Sequence, residues 1–369
     1  MVRGIRMKSK FEYNPVALEN LQIKDPSILD RLIDTESVRQ GNLKKERAKV
    51  DKRMTLKEAV AEYVSDGDIY ADSGFSYVRT PLQALFEVMR QGKKGLQGIG
   101  SPNTNHSYGI PYGVFSYSHN SYLGAEMRGT DRSYSISVQQ KKVDILSEWS
   151  HGAMALGFKA AQIGAPYLAS KSMLASDMIN HNPYVKVVDN PFKKDKDPVC
   201  LVPALHPDVV FIHVQQADKY GNARIYGPSV NDIALASACR KVIITAEEIV
   251  PESDLRNNTG GNIIPFMFVD AVVDLPFGAA PGNCPGHYYW SREFWEWGIR
   301  ITLSGKSDEA RDSFWNYWVF DCKDQLEFVE KLGGVRWIEQ HRKLEKASNL
   351  TYEDDGVDFS YTSVIPKWD

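Results

Sequence analysis

The chain has 369 residues, 43% hydrophobic and 25% charged, with a formal net charge of −3. That composition suits a globular protein with a substantial core, either one large α/β domain with appendages or two ordinary domains. The balance of charge gives no case for nucleic acid as the main partner, and no run of about 18 apolar residues is present to span a membrane.

The start, Met1-Val-Arg-Gly-Ile-Arg-Met-Lys, is basic but lacks the apolar centre of a signal peptide. The four cysteines, Cys200, Cys239, Cys284 and Cys322, stand far apart with no C-x-x-C pair. Reduced thiols in a cytoplasmic protein are therefore expected, and neither a zinc ribbon nor a disulfide framework is.

Residues 1–50 are polar and irregular and read as an N-terminal extension lying on the body or on a partner. Within them Asp25-Pro26 opens a short helix-like piece carrying Ile28, Leu29, Leu32 and Ile33. Thr55-Leu56-Lys57-Glu58 has the form of a capping box and predicts an amphipathic helix through Val64.

The stretch Asp66–Pro81 reads as turn, short buried strand (Ile69–Ala71), loop (Ser73-Gly74-Phe75-Ser76) and helix entrance. A bend of this kind can aim main-chain N–H groups at an anion, with Arg79 adding a forked cation. Equally, Gly74 can be no more than a tight βα turn.

Further along, Gly95–Gly100 leads into a second polar turn, Ser101-Pro102-Asn103-Thr104-Asn105. Residues 109–135 are rich in Tyr, Ser and Gly and show no clear periodicity. Ala153–Ala161 predicts a closely packed helix ending before Gly164, with Glu148 and His151 at its start. Val185–Asp189 and Cys200–Pro203 read as a strand pair joined by a basic turn.

Pro207–Val214 is the strongest strand, followed by the helix Ile233–Cys239 and strands at Lys241–Thr245 and Val269–Val273. Such βα alternation predicts a mainly parallel sheet covered on both faces. Residues 51–288 would form this α/β domain. Residues 289–369, where Trp290, Trp295, Trp297, Trp315, Trp318 and Trp337 crowd together, read as a helical C-terminal region packed on it as core or interface.

Several chemistries lack their motif. There is no G-x-S-x-G nucleophile turn, no P-loop, no G-x-G-x-x-G and no metal-ligand histidine spacing. Glu148 and His151, three apart at a helix start, could share a proton as a general base or serve as surface caps. The stretch from His213 through Gln215 to Asn222 would emerge at a strand's carboxyl end, where open α/β sheets place ligands. It can also be a turn tipped by Gly221-Asn222 with His213 bonded in the core. Glu247 and Glu248, adjacent on a strand, point to opposite faces and do not share a site.

With these residues in place the sequence resembles the alpha-chain family of class I CoA-transferases, the family of the A (alpha) subunit of glutaconate CoA-transferase. The likeness runs from M-T-L-K-E-A-V at Met54 through D-G-D and G-F-x-x-x-R-x-P. It continues with D-N-P-F-K at 189–193, H-V-Q-Q-A-D-K-Y-G-N-A-R-I-Y-G at 213–227, A-E-E-I-V at 246–250 and F-V-D-A-V-V with P-F-G-A-A-P at 268–281. It closes on W-V-F-D and K-L-G-G at 318–334.

The resemblance implies an open α/β sandwich paired with a homologous beta subunit, commonly as α2β2. A CoA thioester would be substrate, and no cofactor would be permanently bound. The nucleophilic glutamate would sit on the beta subunit, because no match to its motif occurs in this chain.

Ser73, Gly74, Phe75, Ser76 and Arg79 would then line the acyl pocket, with Ser101, Asn103 and Gln215. The family's first loop usually carries two glycines where this chain has Ser73-Gly74, and the second loop here is rich in side chains. One branch of the fold hydrolyses a carbon–carbon bond in cyclic CoA thioesters with an alpha-subunit glutamate near the helix matching Ala153–Ala161. Glu148 or His151 would take that part here. A non-catalytic binding or scaffold subunit is the remaining alternative.

Overall fold

A computed structural model describes residues 9–101, 104–124, 131–257, 260, 262–292, 294–295 and 307–348. Its strands are β1 (Ile69–Ala71), β2 (Leu96–Ile99), β3 (Phe115–Asn120), β4 (Asp144–Glu148), β5 (Tyr167–Ser170), β6 (Lys186–Asp189), β7 (Pro198–Pro203), β8 (Val209–Ala217), β9 (Ala223–Ile225), β10 (Lys241–Ile249), β11 (Asn262–Ile264) and β12 (Ala271–Asp274).

Seven of them run parallel in the order β12-β10-β8-β1-β2-β3-β4. β9 turns back antiparallel on the end of β8, and β11 pairs with β9. A separate antiparallel sheet has the order β5-β7-β6.

The parallel strands are buried on both faces because each face meets its own apolar cluster. Tyr70, Val209 and Phe211 point to one side, onto Phe86, Trp315, Trp318 and Trp337. Ile69, Ala71, Val210 and Ile212 point to the other, onto Met154 and Phe158. Burying each such side chain contributes on the order of 1.5–3 kcal/mol. The fold is the expected α/β sandwich with a mainly parallel sheet and helices at its C-terminal end.

The local signals act as read. Thr55 Oγ1 accepts from Glu58 N while the Glu58 carboxylate accepts from Thr55 N, closing the capping box of the helix Leu56–Tyr63. Ser150 caps the helix His151–Ile163, which stops at Gly164 with φ +71°. The N-terminal residues lie on the body: Leu29 and Leu32 are buried, Arg31 pairs with Asp208 at 2.7 Å, and Tyr13 meets Tyr184 edge-on. Of the tryptophans, Trp315, Trp318 and Trp337 are core, while Trp290 is half-buried and stacks on Tyr77; Trp297 lies outside the described residues.

Two strands lack an apolar signature in sequence. β3 crosses the Tyr- and Ser-rich stretch, and β4 ends at Glu148, which therefore belongs to a strand and not to the start of a helix. Both hold polar residues inside the sheet by pairing them: His119 Nδ1 bonds Ser147 Oγ at 2.8 Å, and its Nε2 lies 3.3 Å from Gln97 Oε1.

From β1 the chain steps outward through β2, β3 and β4. It then returns and steps the other way through β8, β10 and β12. The reversal falls between β1 and β8, and open parallel sheets place ligands outside the carboxyl ends of strands at such a reversal.

Candidate functional site: the carboxyl edge of the parallel sheet

β1 ends at Ala71, opposite Val210, but β8 runs on to Ala217. The edge of β8 beyond Val210 therefore carries carbonyls that β1 does not meet, and the loop Asp72–Arg79 covers them. Ser73 Oγ donates to Phe211 O at 2.6 Å, and Arg79 Nη1 donates to His213 O at 3.2 Å.

The loop folds tightly, with Phe75 and Val78 exchanging backbone hydrogen bonds and Gly74, Ser76 and Arg79 all at positive φ. At Gly74, φ +72°, a Cβ would stand 2.4 Å from Val78 O. Only glycine fits that position.

Asp232, at the head of the helix Asp232–Ala238, locks the loop. Its Oδ1 accepts from Gly74 N and its Oδ2 from Arg79 Nη2, each at 2.9 Å. Arg79 also donates to Pro228 O, and both side chains of the ion pair are buried.

The cation expected to meet a substrate carboxylate is thus turned inward, and the Gly74 amide expected to face an anion is already engaged. Gln215 is likewise committed within the fold: its amide donates to Tyr226 O and Pro285 O and accepts from Tyr226 N. Each was expected at the pocket wall. A buried polar side chain needs its partners, and here the fold supplies them.

The other half of the edge differs. Ser101 follows β2, Tyr122 follows β3, and His151 opens the helix after β4. These three loop ends converge. Ser101 Oγ and His151 Nδ1 are 2.5 Å apart in a short hydrogen bond. The His151 ring lies 5.5 Å from the Tyr122 ring and 6.3 Å from that of Phe75. Ser101 is buried, whereas Phe75, Tyr122 and His151 are half-buried. Asn103 lies outside the described residues.

Glu148, expected to share a helix face with His151, ends β4 opposite Asn120 instead, and its carbonyl accepts from Asn182 Nδ2. A bond at Nδ1 sets the tautomer and plane of the imidazole. That role falls to Ser101 and not to a carboxylate one helical turn away.

Sequence reasoning passed over Asp72, Asn105, Tyr122 and Asp232. Asp72 is buried where β1 leaves the sheet, and burial together with the nearby Asp232 pushes its carboxyl up to about 7, against an opposing hydrogen bond from Asn105. An aspartate directly following an apolar strand was its available signal. Asp232 had none, being 153 residues from Arg79 in the chain.

Behind the loop lies a buried network. His213 bonds Thr245 Oγ1 through Nδ1 and Glu247 Oε1 through Nε2, at 3.0 and 2.7 Å. Tyr288 and Phe277 N also donate to the Glu247 carboxylate. Burial pushes that carboxyl up, but the bonds from His213, Tyr288 and Phe277 outweigh it and hold it below its ordinary range.

His213, Glu247 and Cys284 each offer a metal-ligand atom within 4.8 Å of the others. However, the imidazole and carboxylate are bonded to each other, closer than two ligands of one ion stand. Glu248 points to the opposite face and accepts from Gln216.

The Coenzyme A transferase sequence profile matches residues 53–275. The A subunit of the glutaconate CoA-transferase from Acidaminococcus fermentans is 33% identical over 307 residues, covering 78% of this chain and 94% of that one. The A subunit of the 3-oxoadipate CoA-transferase from Pseudomonas knackmussii is 31% identical, covering 76% and 97%.

The crystal structure of the Acidaminococcus glutaconate CoA-transferase superposes with a TM-score of 0.72 at 33% identity, over 78% of this chain and 94% of that one. A cholesterol ring-cleaving hydrolase IpdA subunit of Rhodococcus jostii is 23% identical, covering 71% and 95%. The chain belongs to the Coenzyme A transferase family, is similar to the A-type subunits within it, and is a CoA-transferase enzyme chain. Among the described residues, no helix is long and apolar enough to cross a membrane.

Proposed function

We propose that this chain is the alpha-type subunit of a heteromeric CoA-transferase of the cytoplasm. It would move CoA between an acyl-CoA and a small or cyclic organic acid, in organic acid degradation, and form α2β2 with a homologous beta subunit. One observation carries this reading. The carboxyl edge presents a wall of Phe75, Ser101, Tyr122 and His151, while two carboxylates behind it are engaged, Asp232 by Arg79 and Glu247 by His213. Such a wall suits holding and polarising an acyl group, and none of its four side chains is a carboxylate.

A glutamate from the partner would add to the thioester carbonyl and expel CoA thiolate, leaving an acyl-glutamyl anhydride. The thiolate then attacks the glutamyl carbonyl, releases the acid as its carboxylate, and leaves an enzyme-CoA thioester. The acceptor acid reverses both steps. No resident cofactor is needed. The buried free cysteines Cys200, Cys239, Cys284 and Cys322 fit a reducing compartment.

Co-expression with the companion chain should give CoA exchange between an acyl-CoA and acetate, with hydroxylamine inactivation only when acyl-CoA is present. Hydrolysis without exchange would overturn the transferase reading.

The Ser101–His151 pair supports a second reading, ring-opening hydrolysis of a cyclic CoA thioester with His151 or Glu148 as base. That activity would need water alone, survive loss of the partner's glutamate, and collapse in His151→Ala or Glu148→Ala. A subunit that assembles but binds no acyl-CoA would fit neither.

A further inference from the structure

The small antiparallel sheet β5-β7-β6 departs from the usual pattern of one dry and one wet face. Cys200 and Val202 of β7 are buried against the body, so alternation turns Val199, Leu201 and Pro203 outward. Residues directly opposite in an antiparallel ladder share a face. The register therefore adds Tyr167 and Ala169 of β5, with Lys186 and Val188 of β6, to the outer side. Such a face is ordinarily polar. Here Lys186 is its one charged member, and it pairs with Glu12 at 3.0 Å.

The turn joining β6 to β7 carries the feature further. Phe192 is 95% exposed, and among the described residues no other large apolar side chain is so open. The ring is not on a loose loop. Phe192 N donates to Asn190 Oδ1 at 3.1 Å and Lys193 N to Asn190 O at 3.2 Å, while Asn190 bonds Asp197 through both its main-chain N–H and its side-chain amide. The chain thus spends an Asx turn and a β-turn on presenting a phenyl ring to water, where it forgoes the gain of burial.

This tip stands on the side of the molecule where the Ser101–His151 wall lies. Lys171 bonds Asp197 at the base of the tip, and the next residue, Ser172, bonds Ser150 at 2.8 Å, directly before His151. Lys193, Lys194 and Lys196 outnumber Asp195 and Asp197 around the ring, and Lys171 also draws on Asp197. Two such cationic tips would repel one another, which disfavours a second copy of this chain as the occupant.

We propose that the Phe192 tip and the outer face of β5-β7-β6 form a docking surface for the beta-type companion subunit. Phe192 is its aromatic anchor, seated in an apolar pocket with an acidic rim on the companion. A companion that brings its carboxylate to the wall passes beside this tip. The proposal rests on the heteromeric transferase reading for the identity of that partner.

Titration of the full chain with its beta-type companion, followed by sedimentation, tests the contact. Phe192→Ala should weaken the heteromer about 30-fold or more, as truncation of a central aromatic anchor does, and Val188→Lys about tenfold. Phe192→Ala should leave the urea midpoint of the chain alone unmoved, because the ring stands in solvent there. An affinity within about twofold of the wild type in Phe192→Ala overturns the proposal. So does a heteromer that stays intact in this variant while KM for acyl-CoA rises, which would make the ring a substrate contact. A wild-type chain that dimerises alone and loses the dimer in Phe192→Ala overturns it too, in favour of a second copy. A heteromer that depends on Phe192 but exchanges no CoA supports the docking surface and counts against the transferase chemistry alone.

Discussion

The two halves of the carboxyl edge carry similar residue types to different ends. In the loop Ser73–Arg79, a serine, an arginine and a glycine amide are all taken up by Phe211 O, His213 O and Asp232, so the loop is framework. Around His151, residues from three separate strand ends meet: a buried serine bonds the half-buried histidine, whose ring lies against that of a half-buried tyrosine, so they form a face. The difference lies in the partners. β8 outruns β1 and presents carbonyls that must be met, whereas β2, β3 and β4 end together. Framework substitutions should therefore cost stability, and face substitutions should cost activity.

The largest expected effect is in the framework. Asp232→Ala strands the buried Arg79 guanidinium and the Gly74 amide together. Breaking a buried ion pair from one side costs about 3–5 kcal/mol, and urea unfolding of the full chain should show a loss of that size. A loss under about 1 kcal/mol would mean that the lock is loose. Gly74→Ala should follow at about 1–3 kcal/mol, since the methyl group meets backbone oxygen and the residue must hold a positive φ. Thermal unfolding of that variant beside Gly67→Ala, where φ is +80° and no atom lies within 4 Å of the added methyl, separates clash from strain.

Next comes an effect of pH. Burial holds the His119 imidazole down to about 3 in the fold, against an ordinary value near 6.5. The unfolded chain therefore takes up protons first. The stability that neutral His119 supplies is complete above about pH 6.5 and is lost as pH falls toward 3. Linkage sets the loss at up to about 2 kcal/mol by pH 5. Denaturant titrations at pH 7 and pH 5 should show a smaller difference in His119→Gln than in the wild type, and an unchanged difference would mean that the imidazole is protonated within the fold.

How far the sequence could be read follows the same division. β1, β8, β10 and the helix Leu82–Arg90 were legible because apolar spacing and flanking Gly and Pro are local signals. The opposite facing of Glu247 and Glu248 was legible from strand alternation alone. β3 and β4 were not, since a strand that buries Ser118, His119 and Ser147 carries little hydrophobic pattern. Of the site, Ser101 and His151 were named, but their contact spans 50 residues. Whether Arg79 and Gln215 face substrate or fold depends on Asp232 and Tyr226, whose positions in space no local pattern reveals.

The smallest expected effect on stability is also the sharpest test of the contrast. His151 is half-buried at a helix start that Ser150 already caps through its bond to Ala153 N. Removing the imidazole deletes a short bond to Ser101 but leaves the helix cap intact, so His151→Ala should cost under about 1 kcal/mol. In the complex, losing a group that positions or polarises the acyl carbonyl should lower kcat/KM about 10²-fold. His151→Gln, which can still bond Ser101, should recover part of that loss if the histidine positions the wall, and none if it moves a proton. A His151→Ala chain that unfolds as readily as Asp232→Ala would make both halves framework and remove the distinction on which the site rests.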